Sequence, residues 1–236
     1  MRLLYPLAGA VALLLTVPTA GLAAEKTYAL PAFTAISVAS GIDAEVTVGG
    51  AQKIVATSND QREIDDLKIE VRGGELHIWR DWDLLDLFDG MADHQTRVTI
   101  SVPTLTSAEA SSGADVDVSG MDGDAITLES SSGADLDATD VRAVTITANA
   151  SSGADLSANG TCTTLTVEAS SGATADLDDL ACTDAIAEAS SGADIDLRVT
   201  GALKAEASSG GGISVSGKPA STEIEQSSGG HVDLGD

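Results

Sequence analysis

The sequence runs to 236 residues, with 37 acidic against 12 basic side chains and a formal charge of −25 at pH 7. That balance excludes nucleic acid and anionic lipid as partners, because both are held by basic surface. Regularly placed Ile, Leu and Val set the chain apart from an acidic disordered segment. With aromatics at 3%, the core they build has to be narrow and aliphatic.

Residues 1–24 have the form of an export signal. Arg2 precedes an apolar run from Leu3 to Val17, broken only by Tyr5, Pro6 and Thr16, and small residues lead to cleavage at Ala23 or Ala24. The run is too short, and too closely flanked by Pro6 and Pro18, to make a good membrane span. No Cys near the cleavage site suggests a lipid anchor, and no later segment reaches spanning length. The mature chain is therefore expected to be soluble, with no integral membrane segment, in the periplasm, on the cell surface or outside the cell. Loss of Arg2 leaves 11 basic against 37 acidic groups, a charge of −26.

Residues 25–102 carry strand-like runs at Ala35–Val38, Ala44–Val48, Ile54–Thr57, Leu67–Val71, Glu75–Trp79 and Arg97–Val102. Gly73-Gly74 has the composition of a hairpin turn. Ser40-Gly41-Ile42-Asp43-Ala44-Glu45 is a degenerate copy of a motif repeated later, so the region reads as irregular early coils that cap a repeat.

One segment, Trp79 to Gln95 (WRDWDLLDLFDGMADHQ), interrupts two of these strands. It holds Trp79, Trp82 and Phe88, with Asp81 placed to cap a short helix that Gly90 ends. As a lid it would cover the open end or flank of the repeat. As a recognition loop its acid-rimmed aromatics would suit sugar or protein contacts, with Trp79, Trp82 and Phe88 touching the partner. The lid reading is preferred, because exposed apolar patches on soluble proteins are usually small.

From residue 103 to 236 the chain repeats. Ser-Ser-Gly recurs at 111–113, 131–133, 151–153, 170–172, 190–192, 208–210 and 227–229, in steps of 20, 20, 19, 20, 18 and 19 residues. A period near twenty with turn residues inside it marks a solenoid. Leucine-rich repeats share the length but need a Leu frame that is missing here. Five residues before each triplet stand Thr106, Ile126, Ile146, Leu165, Ala185, Leu203 and Thr222, and three before stand Ala108, Leu128, Ala148, Val167, Ala187, Ala205 and Ile224. Polar residues alternate with them, which makes a strand with one buried face. After the Gly, Val116, Leu136, Leu156, Ile195, Ile213 and Val232 point inward, while Asp115, Asp135, Asp155 and Asp194 point outward. Eight before each triplet lies a corner. The expected fold is all-β: a single-stranded parallel β-helix with coils of about twenty residues, right-handed by the general bias of parallel crossovers.

The register has two consequences. Cys162 and Cys182 both sit eight residues before a triplet, so stacking places them about 4.8 Å apart, within reach of a disulfide in an oxidising compartment. Glu two before each triplet and Asp two after each Gly form exposed acidic ladders, which are expected to bind calcium weakly if at all. The competing reading is that these acids only keep the surface soluble.

Ser40-Gly41-Ile42-Asp43, the stretch Leu67 to Trp79 (LKIEVRGGELHIW), Val98 to Leu105 (VTISVPTL) and the Ser-Ser-Gly-Ala-Asp repeats, in that order, resemble the head GIN domain family, labelled putative auto-transporter adhesins. The resemblance covers nearly all of the mature chain and implies a β-helical envelope or secreted protein. Asp43 stands where the family name implies Asn. No barrel segment precedes the end at Asp236, so self-translocation is not expected.

A β-helix is also the scaffold of pectate lyases and polygalacturonases. Such lyases need grouped Arg or Lys, yet after Gly113 only Arg142, Arg198, Lys204 and Lys218 occur, on different coils. Inverting hydrolases need two carboxyls in unequal environments, whereas these acids repeat identically from coil to coil. His77, His94 and His231 are too far apart in the register to be co-ligands. A Ser/Thr row at Ser107, Thr127, Thr147 and Thr166 suits an ice- or mineral-facing ladder, but Ile186, Lys204 and Glu223 break it. The sequence therefore reads as an exported, non-catalytic binding or structural protein without a cofactor, in adhesin-like contact with glycan, cell envelope or a protein surface. A carbohydrate-active lyase or hydrolase is the alternative.

Overall fold

The computed structural model describes residues 24–80 and 96–235. The export signal (bar Ala24), Asp81, Trp82, Phe88 and Gly90 lie outside the described residues.

The Ser-Ser-Gly bend sets the shape of each regular coil. The second Ser and the Gly are both left-handed: φ is 54° and 73° at Ser112-Gly113 and 58° and 68° at Ser132-Gly133. The next amide closes the turn on the first Ser, as in Ala114 N to Ser111 O at 3.2 Å and Ala134 N to Ser131 O at 3.3 Å. Two successive positive-φ residues make the tight turn that joins β-strands. Gly carries the second position at no steric cost, while each left-handed Ser costs about 1–2 kcal/mol. The bends also bond to one another, Gly133 N donating to Ser152 O and Gly153 N to Ser171 O. Stacking thus recovers backbone hydrogen bonds that a free loop would leave to water.

On one side of the bend run β8 (Ser107–Ser111), β10 (Asp122–Ser131), β11 (Asp135–Ser151), β12 (Asp155–Ser170), β13 (Thr174–Ala189), β15 (Ala202–Ala207) and β17 (Ser221–Gln226). On the other run β9 (Asp115–Ser119), the first halves of β11, β12 and β13, then β14 (Asp194–Val199), β16 (Gly212–Ser216) and β18 (His231–Leu234). All are parallel and in register: Leu128 faces Ala148, Ala148 faces Val167, Val167 faces Ala187 and Ala187 faces Ala205. These five side chains are fully buried. The chain is an all-β solenoid of stacked parallel coils of about twenty residues.

Two details differ from the expected coil. The corner in β11, β12 and β13 is not a break between strands: the strand continues through it with a register shift, as between Ala138 and Val141. At the ends of the repeat, Thr106 and Thr222 are exposed, although their equivalents Ile126, Ile146, Leu165, Ala185 and Leu203 are buried. The buried role beside Thr106 passes to Leu105.

The described residues before 103 stack out of chain order. β1 is Ala24–Tyr28, β2 Ala35–Val38, β3 Asp43–Val48, β4 Lys53–Ser58, α1 Gln61–Asp66, β5 Leu67–Arg72, β6 Glu75–Arg80 and β7 Thr96–Val102. β2 lies between β6 and β8, and β3 between β7 and β9, all parallel. Ser40 and Gly41, both at φ 65°, therefore form one more bend of the row, as their sequence suggested. Beyond the β6–β7 coil the direction reverses: β5 is antiparallel to β6 through the Gly73-Gly74 hairpin, β4 is antiparallel to β7, and β1 is antiparallel to β4. α1 joins the two sides across the end. Asp60 caps it by accepting the Arg62 amide, and its Ile64 is fully buried.

Candidate functional site

The parallel register brings together what the sequence placed apart, at three points.

Cys162 and Cys182 face each other on β12 and β13 and form a disulfide with Cα atoms 4.5 Å apart. The bond ties two neighbouring coils at the corner where the strands bulge.

Trp79 lies on β6, one residue before the strand's last position, with the outward-facing His77 two residues earlier. The antiparallel hairpin sets Lys68 opposite Trp79, Glu70 opposite His77 and Arg72 opposite Glu75. The Arg72 guanidinium stands 5.3 Å from the Trp79 ring centroid, a cation–π distance. It also pairs with Glu70, and His77 Nε2 lies 3.4 Å from Glu75. Ser37, Ala39, Arg72, His77 and Trp79 border a shallow depression of about 180 Å³. An indole ring, a guanidinium and an imidazole lie along it. Trp82 and Phe88, the other aromatics expected at this contact, fall among residues 81–95 and outside the described residues.

The root of that segment is held by Arg80, which sequence reasoning did not single out. Its Nη1 pairs with Glu63 of α1 at 2.6 Å, its Nη2 donates to Thr96 Oγ1 at 3.0 Å, and its carbonyl accepts from Ser40 Oγ at 3.3 Å. Residues 81–95 connect β6 to β7 at the place that the Ser-Ser-Gly turn takes in regular coils. The available signal was that Arg80 borders the break in the strand pattern.

The third point is a face with two acidic rows, only one of which was read from the sequence. Arg97, Asp43, Asp115, Asp135 and Asp155 follow one another along the stack, ahead of Thr174, Asp194, Gly212 and His231. Two residues further along each strand lie Glu45, Asp117, Asp137, Ser157, Asp176 and Asp196. A groove of about 260 Å³ runs between Glu45, Asp117, Asp137 and Thr139. Asp115 sits at the centre of the densest block. Partial burial, then Asp117, Asp43 and Asp135, push its carboxyl above the ordinary range, against the pull of Arg97. Arg97 lies 3.6 Å from Asp43 and ends the row. The Glu row, from Glu109 through Glu129 to Glu168 and Glu188, occupies the other side of the bend. Among the described residues no three His, Cys, Asp or Glu side chains converge as a metal site. In-register side chains leave a sheet in parallel, so the ladders fan their carboxylates out instead of gathering them around an ion.

A family model described as putative auto-transporter adhesin, head GIN domain, matches residues 32–219. Solved structures of the same shape include a putative adhesin from Bacteroides fragilis NCTC 9343, with TM-score 0.80, 15% identity, and coverage of 90% of this chain and 96% of that one. A putative adhesin from Parabacteroides merdae ATCC 43184 follows with TM-score 0.70, 15% identity, and coverage of 92% and 98%. A putative lipid binding protein from Parabacteroides distasonis ATCC 8503 has TM-score 0.69, 14% identity, and coverage of 92% and 98%. At these identities the likeness is one of fold. No curated protein matches the sequence. No helix among the described residues is long and apolar enough to cross a membrane.

Proposed function

The chain belongs to the head GIN domain family of putative auto-transporter adhesins, and from that premise we propose that it is an exported, non-catalytic contact module that meets glycan at the Trp79 depression. The observation that carries this reading is the division of charge along the molecule. Residues 24–102 hold seven basic against 14 acidic side chains, five of the acids between 81 and 95, whereas residues 103–236 hold four against 23. The acidic coils repel anionic surfaces, so close approach is favoured at the N-terminal end. There an indole ring can stack on the apolar face of a sugar, while Arg72 and His77 offer donors to its hydroxyl or acidic groups. α1 and Ile64 already cover core at this end, which supports recognition over covering as the part Trp79 plays. The acidic coils then act as a rigid, soluble spacer.

The test is retention of the chain on immobilised glycans and on cell envelopes, compared with Trp79→Ala and His77→Ala. Trp79→Ala is expected to weaken attachment at least tenfold with little change in melting temperature, and no reducing ends should be released. Unchanged attachment, or a fall in stability without loss of attachment, overturns the reading. Release of reducing ends favours the carbohydrate-active alternative.

A further inference from the structure

The two ends of the stack are finished differently. Among the described residues four large hydrophobic side chains are exposed; of these, Ile224 and Leu234 lie in the last coil, and Ile186 projects outward from β13, two coils back. Among the described residues β17 pairs only with β15, and β18 only with β16, so each leaves one edge of backbone donors and acceptors without a described ladder partner. Ile224 continues the inward row of Val167, Ala187 and Ala205, all fully buried, yet it is 36% exposed because no coil covers it. Leu234 likewise follows Leu197 and Val215 and is 41% exposed. A groove of about 430 Å³ starts at Thr222 and Glu223 and runs back over Leu203 and Lys204 to Ile186.

We propose that this end is a docking edge for an extended segment of another protein, added as a further strand beside β17, in which apolar residues alternate with Lys or Arg. An exposed edge of this kind is a template for strand addition. The alternation follows from β17 itself: Ile224 asks for an apolar neighbour on the inward side, and the exposed Glu223 and Glu225 ask for cations on the outward side. Asp233 on β18 adds to the same field.

A second copy of the chain fits worse in both possible arrangements. Antiparallel pairing of β17 with itself, with inward faces matched, sets Glu223 opposite Glu225 or opposite itself, and like charges directly opposed destabilise a sheet. Head-to-tail stacking meets a stepped surface. At the N-terminal end β4 and β1 both lie beyond β7, but only β5 lies beyond β6. β17 and β18 belong to one coil and end level. The mismatch is one strand spacing, about 4.8 Å, too large for both sides to pair.

The experiment is hydrogen exchange on the full-length chain with the synthetic peptide Val-Lys-Val-Lys-Val-Lys, against Val-Glu-Val-Glu-Val-Glu. The basic peptide should slow exchange at residues 221–226 at least tenfold, and the acidic one should not. Glu223→Lys with Glu225→Lys should reverse that preference. Should the double variant fold poorly by circular dichroism, the same comparison on the unaltered chain at high salt replaces it, and protection by the basic peptide should fall. Absence of protection by the basic peptide, or equal protection by both peptides, overturns the proposal. So does concentration-dependent protection of 221–226 without peptide, which would make a second copy the occupant.

Discussion

The regular coils and the described residues before 103 use the same bend and the same inward rows, yet they close their ends in opposite ways. From Ser107 onward the chain adds each coil to the one before, so the stack grows in one direction, and the last described coil, β17–β18, leaves its core side uncovered among the described residues. Before that, the β2–β3 coil is laid down first, and β6–β7 and β8–β9 then pack on either side of it. Growth on the far side ends when β4 and β5 reverse direction and α1 crosses between them. Repetition specifies a coil cheaply but contains no instruction to stop. A closed end needs residues that depart from the repeat.

The largest expected effect tests that contrast directly. Ile64→Ala in the closed end and Leu128→Ala in the middle of the stack both empty fully buried sites, and each should cost about 2–5 kcal/mol of stability. Ile224→Ala removes the equivalent inward residue at the open end and should cost less than about 1 kcal/mol, since its side chain already meets water. Denaturant midpoints of the three variants check this. A large loss at Ile224 with a small one at Ile64 would reverse the assignment of closed and open ends.

How much of this was legible follows from the same contrast. The bend and the inward rows could be read because each is stated several times at one spacing, and that spacing placed Cys162 over Cys182. Ser40-Gly41 was recognisable as a worn copy. The placement of β2 between β6 and β8 was not legible, because chain order and stacking order part company there and no repeat reports it. α1 has six residues and one buried side chain, too short to show a helical period, although Asp60 is a fair N-cap. The second acidic row, two residues beyond the first, was open to the same count from Ser-Ser-Gly and was not picked out, because Ser157 interrupts it. The expectation that Thr106 and Thr222 point inward failed for two reasons: Leu105 fills the buried place beside Thr106, and the coil that holds Thr222 has a described neighbour on one side only.

A smaller effect is expected at the disulfide. Cys162→Ala with Cys182→Ala should lower stability by about 3 kcal/mol, the entropy of opening a loop of this length in the unfolded chain. The bond joins coils that the ladder already holds at 4.5 Å between Cα atoms, so the folded coils should keep their register. Melting temperature against strand content by circular dichroism separates the two. Loss of strand content along with stability would show that the bond shapes the regular coils as well as restraining the unfolded chain.

The smallest effect concerns charge, and it sharpens the comparison where the two regions meet. Asp43 and Glu45 of the early coil abut Asp115 and Asp117 of the first regular one, with Asp135 and Asp137 next in line. Later along the stack Ser157, Thr174, Gly212 and Ser214 interrupt the rows, so like charges are densest at this junction. Asp115 has an acid on each side of it and one beside it, and its carboxyl is raised above the ordinary 3.8 by burial first and these neighbours next. A carboxyl raised in the folded state binds its proton more tightly there than in the unfolded chain. Its contribution therefore favours folding at low pH and is lost as pH rises through the folded value. Asp115→Asn should accordingly raise the melting temperature slightly at neutral pH. The gain should fade as pH is lowered towards 3.8, where the native carboxyl is itself protonated, and it should shrink in molar salt, which screens exposed charges beyond a few ångströms. The same substitution at Asp194, whose row neighbours are Thr174 and Gly212, should give a smaller gain. Thermal melts of both variants between pH 3.5 and 7, a range of about the ordinary carboxylate value and upward, decide the matter. An equal gain at both sites would mean that total charge, not the junction, sets the cost.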